Sequence, residues 1–69
     1  MDIRDRLREL LRERHINCSS LAKATGINKQ ILYDCFGHRR RLEASEFIRI
    51  CIAVGFSIDD FRMCQGLAP

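Results

Sequence analysis

Asn17–Arg41, NCSSLAKATGINKQILYDCFGHRRR, is the stretch on which the fold of this chain turns. Asn17 is a strong N-cap, because its side-chain oxygen can accept from an amide that a helix start leaves unpaired. The pattern predicts a helix from Cys18 to Thr25, with Leu21 and Ala22 facing inward. Gly26 then stands where a helix ends in positive φ, a conformation that costs a residue without Cβ little. Ile27 is apolar and plugs the turn into the core, and Asn28 caps a second helix, Lys29 to Phe36. Its inward residues are Ile31 or Leu32, Cys35 and Phe36; Gly37 ends it, and a polar loop from His38 to Leu42 carries three consecutive arginines.

Helical periodicity continues on both sides. Ile3, Leu7, Leu10 and Leu11 follow the i, i+4, i+7, i+8 spacing of an amphipathic helix over residues 2–15. Asp2 can pair with Arg6 and Glu9 with Arg12 on its outer face, and Ile16 packs as the chain turns. Downstream, residues 43–54 form a helix whose predicted buried stripe is Ala44, Phe47, Ile48, Cys51 and Val54. Ile50 and Ile52 are also apolar, so that helix is central. Gly55 terminates it. Ser57 and Asp60 resemble a capping box opening a fifth helix to residue 65, with Ile58 and Phe61 inward. Residues 66–69 read as a frayed tail. Without strand-like alternation, repeats or low complexity, the expectation is an all-α, compact five-helix unit spanning residues 1–69 as a single domain.

Size excludes much. At 69 residues there is room for one small core and none for a large enzyme cleft. No apolar run approaches the roughly 20 residues of a membrane span. The N-terminus is charged and amphipathic, unlike a signal peptide, so the expected location is cytoplasmic. The net charge of +3 is unevenly spread. Residues 1–27 hold six cations against four acids, residues 28–41 four against one, and residues 42–69 two against four. The positive field is concentrated on the second predicted helix of the motif and its loop, the footprint of a small polyanion-binding module. Cys18, Cys35, Cys51 and Cys64 lie 17, 16 and 13 residues apart, with no close pair, and His15 and His38 are not in tandem. That spacing favours core or half-buried thiols over a metal or disulfide framework.

A helix projecting from a short turn fits the major groove of duplex DNA. Its first turn and the i+4 neighbours here are Asn28, Lys29, Gln30, Tyr33 and Asp34. Gln can bond adenine N6 and N7, Lys can donate to guanine O6 and N7, and Asn can do either. Asp34 only accepts, so it suits a cytosine amino group or orients Lys29 or Gln30; Tyr33 offers a hydroxyl and a ring edge. Ser19 and Ser20, with the free amides after Asn17, suit an anion at a helix N-terminus. His38, Arg39, Arg40 and Arg41 suit phosphates, which position a protein without reading sequence. No nucleophile–base pair or metal constellation stands out, so the expectation is no enzyme, no cofactor and no small-molecule substrate.

Leu21-Ala22, the Gly26-Ile27-Asn28 turn, Leu32 and the closing Gly55-Phe56-Ser57-Ile58-Asp59-Asp60-Phe61 resemble the helix-turn-helix family of the phage Cro and repressor proteins, the Xre-like regulators. The resemblance covers roughly residues 3–62. It implies a five-helix, lambda-repressor-like fold, duplex DNA binding, and a homodimer on a palindromic operator. The family's base-contacting positions fall on Lys29 and Gln30, with Asp34 one turn on. Three positions depart from the family. Its phosphate-contacting position at the start of the second helix, often Gln, is Cys18. An Arg–Glu pair that joins the first and third helices in many members falls on Leu11 and Phe36. Phe36-Gly37-His38-Arg39 stands where Glu-Asn-Gly-Lys is usual, which shifts the glycine by one.

The resulting expectation is a sequence-specific transcriptional regulator, a repressor of phage or mobile-element origin, binding double-stranded operator DNA as a homodimer. So small a module makes few contacts, which argues for a dimer. Phe56, Phe61, Met63 and Leu67 supply the expected dimer surface. The alternative is a protein-interaction module reusing the fold, an antitoxin-like partner or phage-encoded inhibitor.

Overall fold

A computed structural model describes residues 1–68; Pro69, the end of the expected tail, lies outside them. Four α-helices dominate: α1 Ile3–Glu13, α2 Cys18–Thr25, α3 Lys29–Phe36 and α4 Ala44–Val54. A single 3₁₀ turn, Ile58–Phe61, replaces the expected fifth helix. After it Arg62 is extended and Met63 takes φ 66°, so helical geometry cannot continue. The chain instead doubles back. Leu67–Ala68 (β2) pairs in parallel with Leu42–Glu43 (β1), Leu67 opposite Leu42. The Gln65 carbonyl accepts from the Ile3 amide at 2.7 Å, and the Gln65 amide donates to Met1. Residues 67 and 68, within the stretch expected to fray, are thereby tied to the segment between α3 and α4, and Gln65 to the start of α1. A two-residue ladder is too short to leave an alternating pattern in the sequence.

The caps act where local chemistry places them. Asp2 accepts from the Arg4 amide at 2.8 Å and opens α1. Its carboxyl also pairs with the Arg4 guanidinium rather than with Arg6. That side-chain bond, outweighing desolvation, holds the Asp2 pKa down to about 2. Arg6 pairs with Glu9 instead, which leaves the expected Glu9–Arg12 pair unmade. α1 ends two residues before the expected boundary. His15 takes φ 58°, and the Ile16 amide returns to the Leu11 carbonyl at 2.9 Å, a reversal that frees Asn17 to cap α2.

The core gathers Leu7 and Leu11 of α1, Leu21 of α2, Leu32 and Cys35 of α3, and Phe47 and Ile50 of α4, closed by Phe56 and Phe61. The Phe61 ring meets Phe47 edge-on, centroids 4.7 Å apart. The inward expectation for Ile48 on α4 is corrected. Ile50 is fully buried, while Ile48 is 54% exposed and Ile52 78%. Seating Phe47, Ile50 and Val54 on the core rotates Ile48 outward, because successive helical residues differ by about 100°. Ile58 is corrected likewise: it is 80% exposed on the 3₁₀ turn. The four thiols are free, Cys35 buried and the others half-buried. None of the described helices is long and apolar enough to cross a membrane.

Candidate nucleic-acid interface

The α2–α3 pair is built by its caps and one hydroxyl. Asn17 accepts from the Ser20 amide at 2.8 Å, and Gly26 closes α2 in the left-handed region at φ 75°. Thr25 donates its hydroxyl to the Leu21 carbonyl and accepts from the Ile27 amide, so the turn is braced from within. Ile27 is buried there as its apolar character predicts. Asn28 then accepts from the Gln30 amide at 2.7 Å and starts α3. Leu32, Cys35 and Phe36 are buried while Asn28, Lys29, Gln30 and Tyr33 are exposed, so α3 offers the expected polar face to solvent.

That face is internally organised. Gln30 Nε2 donates to Asp34 Oδ1 at 3.1 Å, and the Lys29 ammonium sits 5.7 Å from the Tyr33 ring centroid. Asp34 also accepts from Arg39 Nε at 3.2 Å. The acid thus orients Gln30, one of the two roles its acceptor chemistry allowed, and leaves the Gln30 carbonyl oxygen and second amide hydrogen for a ligand. Asn28 has its side-chain oxygen committed to the cap, so its amide hydrogens are what it can offer. Ser19 and Ser20 are exposed at the start of α2; Asn17 satisfies the Ser20 amide and leaves those of Cys18 and Ser19.

The loop after α3 divides the basic run. Its left-handed residue is His38, at φ 61°, while Gly37 stays at φ −87°. Histidine tolerates that region better than most residues. Gly37 matters for a different reason: a Cβ there would lie 2.7 Å from a guanidinium nitrogen of Arg39, which folds back to reach Asp34. The His38 ring bonds Asp5 of α1 at 2.7 Å, tying loop to helix. Asp2, Asp5 and His38 bring ligand atoms within 4.8 Å of one another, but the Arg4 guanidinium already neutralises Asp2, a poor setting for a cation.

Arg40 is placed differently from its neighbours. Its guanidinium donates to Glu46 at 2.9 Å, to the Arg41 carbonyl at 3.1 Å and to Cys35 Sγ at 3.4 Å. Glu46, 8% exposed, also accepts from the Glu43 amide and completes the capping box of α4. Burial pushes the Glu46 carboxyl up, but the Arg40 bond and the Glu43 amide more than reverse it. The sequence assigns Arg40 to phosphates; the geometry commits it to the protein. Arg39 and Arg41 are exposed, and Arg41 has no ion-pair partner among the described residues. Spacing alone cannot reveal this division, because Glu46 lies on the next helix.

Comparison with known proteins adds an independent finding. The family model described as Cro/C1-type HTH DNA-binding domain matches residues 6–64, so it takes in all four helices from the first turn of α1 onward. No curated protein and no solved structure matches the chain.

Proposed function

Because the chain belongs to the Cro/C1-type helix-turn-helix DNA-binding family, we propose that it is a sequence-specific transcriptional regulator acting as one domain over residues 1–69. In this reading it is a cytoplasmic repressor of phage or mobile-element origin that occupies operator DNA as a homodimer. One observation carries the base-reading part: Asp34 fixes the Gln30 amide on the solvent face of a capped helix. Preorganised amides of that kind suit adenine N6 and N7, and Lys29 beside it suits guanine. Asn28, Tyr33 and Asp34 complete the reading face. Arg39, Arg41 and His38, with Ser19 and Ser20, supply phosphate contacts.

Selection of bound sequences from random duplexes tests the reading. The wild type should return a defined motif, and Gln30→Ala should lose stringency at one position per half-site, worth about 1–3 kcal/mol of discrimination. An unchanged motif at unchanged stringency would remove Gln30 from the reading face.

Of the expected dimer surface, Phe56 and Phe61 are buried in the core, while Met63 is 91% exposed. Ile48, Ile52 and Ile58 supply exposed aliphatic area around the end of α4, and uncharged area is self-complementary across a two-fold axis. Ile52→Asp is therefore expected to shift the protein toward monomer in sedimentation equilibrium and to weaken binding to a palindromic site more than to a half-site. If wild type and variant sediment alike, the surface is not there. The same aliphatic area favours the second reading, a protein-interaction module. Loss of all duplex affinity at low salt would point to it.

A further inference from the structure

Between α1, the start of α2 and the second half of α3 lies an open groove of about 640 Å³. Its floor is apolar, with Leu11 and Phe36 both buried. Its rim carries the exposed Arg8, Arg12 and His15 of the α1 end, and no acidic residue lines it. Arg8 and Arg12 stand four residues apart on one helix face, and neither has an ion-pair partner among the described residues. The other arginines of α1, and Arg14 that follows it, are engaged. Arg4 and Arg6 form ion pairs, and Arg14 donates to the Val54 carbonyl. Two unpaired cations over an apolar floor make a surface suited to an anion that carries an apolar body.

The groove is continuous with the reading face. Tyr33 of α3 and Cys18 of α2 both line it. Burial pushes the Cys18 thiol up, while Lys29 of the reading face and Arg8 of the groove rim pull the other way, so both surfaces are felt at the same sulfur. We infer that this groove seats a sugar–phosphate segment of duplex DNA, with Arg8 and Arg12 holding phosphate oxygens and the Leu11–Phe36 floor taking the deoxyribose. The charge complementarity and the shared Tyr33 wall select this occupant. Apolar residues at 11 and 36 give the floor, where a buried ion pair would have made it polar. The DNA footprint then extends beyond the helix-turn-helix onto α1. This rests on the proposed DNA-binding reading.

The test is duplex binding as a function of salt, with thiol alkylation read site by site. Arg8→Gln/Arg12→Gln should lower the slope of log K against log[salt] by about two units per bound protomer and leave the selected motif unchanged. Both side chains are exposed and unpaired, so the variant should melt like wild type. A diffuse charge effect would also lower the slope, so a contact readout is needed. Bound duplex should slow iodoacetamide modification of Cys18 more than that of Cys51 or Cys64. An unaltered slope, or no selective protection of Cys18, with wild-type binding still salt-dependent, would overturn the groove alone. Absence of wild-type duplex affinity at low salt would overturn the DNA-binding reading and the groove with it.

Discussion

Leu32→Ala is expected to cost about 2–5 kcal/mol of folding stability, the range for truncating a fully buried leucine. Leu32 is 1% exposed and seats α3 on the core formed by Leu7, Leu11, Leu21 and Ile50. At the usual 0.05–0.15 kcal/mol per residue, a 69-residue chain holds about 3–10 kcal/mol in total. The substitution therefore removes from about a fifth to all of what keeps the chain folded. Duplex binding should fall with the folded fraction, because the polar face of α3 has no other support. Urea unfolding followed by far-ultraviolet circular dichroism measures the cost. Ile52→Ala, compared at concentrations too low for self-association, is the matched control: the side chain is 78% exposed in the single chain, so the change should stay within about 0.5 kcal/mol. Equal midpoints for the two variants would mean that α3 does not dock through Leu32.

The contrast between Leu32 and Ile52 also shows which parts of this molecule a sequence can reveal. Caps are local, and Asn17, Gly26, Asn28, Gly55 and Ser57 all close or open their elements as their chemistry dictates. α2 and α3 accordingly occupy the spans that the sequence predicts. The inward face of α4 was less legible. Ile48, Ile50 and Ile52 are equivalent in hydropathy, and only the neighbours of the helix decide that Ile50 is buried and the other two are not. The end of the chain was not legible at all. Met63 turns left-handed because Leu67 pairs with Leu42, a contact across 25 residues that no local pattern encodes.

The candidate interface divides in the same way. The exposure of Asn28, Lys29, Gln30 and Tyr33 followed from helical periodicity, and the bond from Asp34 to Gln30 from their i, i+4 spacing. Arg12 was expected to pair with Glu9, and Arg8 had no partner assigned. Arg12 is left free among the described residues because Arg6 takes Glu9, a choice between neighbours that spacing leaves open. Arg40 looked like Arg39 and Arg41 until Glu46 was brought against it.

Arg40 is the residue at which stability and binding are expected to separate. Arg40→Met leaves the Glu46 carboxylate, 8% exposed, with the Glu43 amide as its remaining hydrogen-bond donor. An under-satisfied buried acceptor costs about 1–3 kcal/mol. The loss should stay below that of a fully enclosed pair, because the Arg40 side chain is 34% exposed. Acid sharpens the expectation. In the wild type the Glu46 pKa is lowered on folding, so the pair contributes above the unfolded pKa and fades as pH falls through the folded one. In Arg40→Met the lowering by Arg40 is gone while the desolvation stays, so the folded Glu46 pKa moves up from its wild-type position. Protonation then relieves the variant, and its deficit against wild type should shrink as pH drops through the carboxylate range. DNA binding supplies the opposite readout. A side chain committed to Glu46 does not neutralise phosphate, so the salt slope of the folded Arg40→Met protein should match wild type, whereas Arg41→Gln should lower it by about one unit per bound protomer. A variant of unchanged stability whose slope drops by one would mean that Arg40 leaves Glu46 for the DNA backbone, and that the basic run acts as its sequence first suggests.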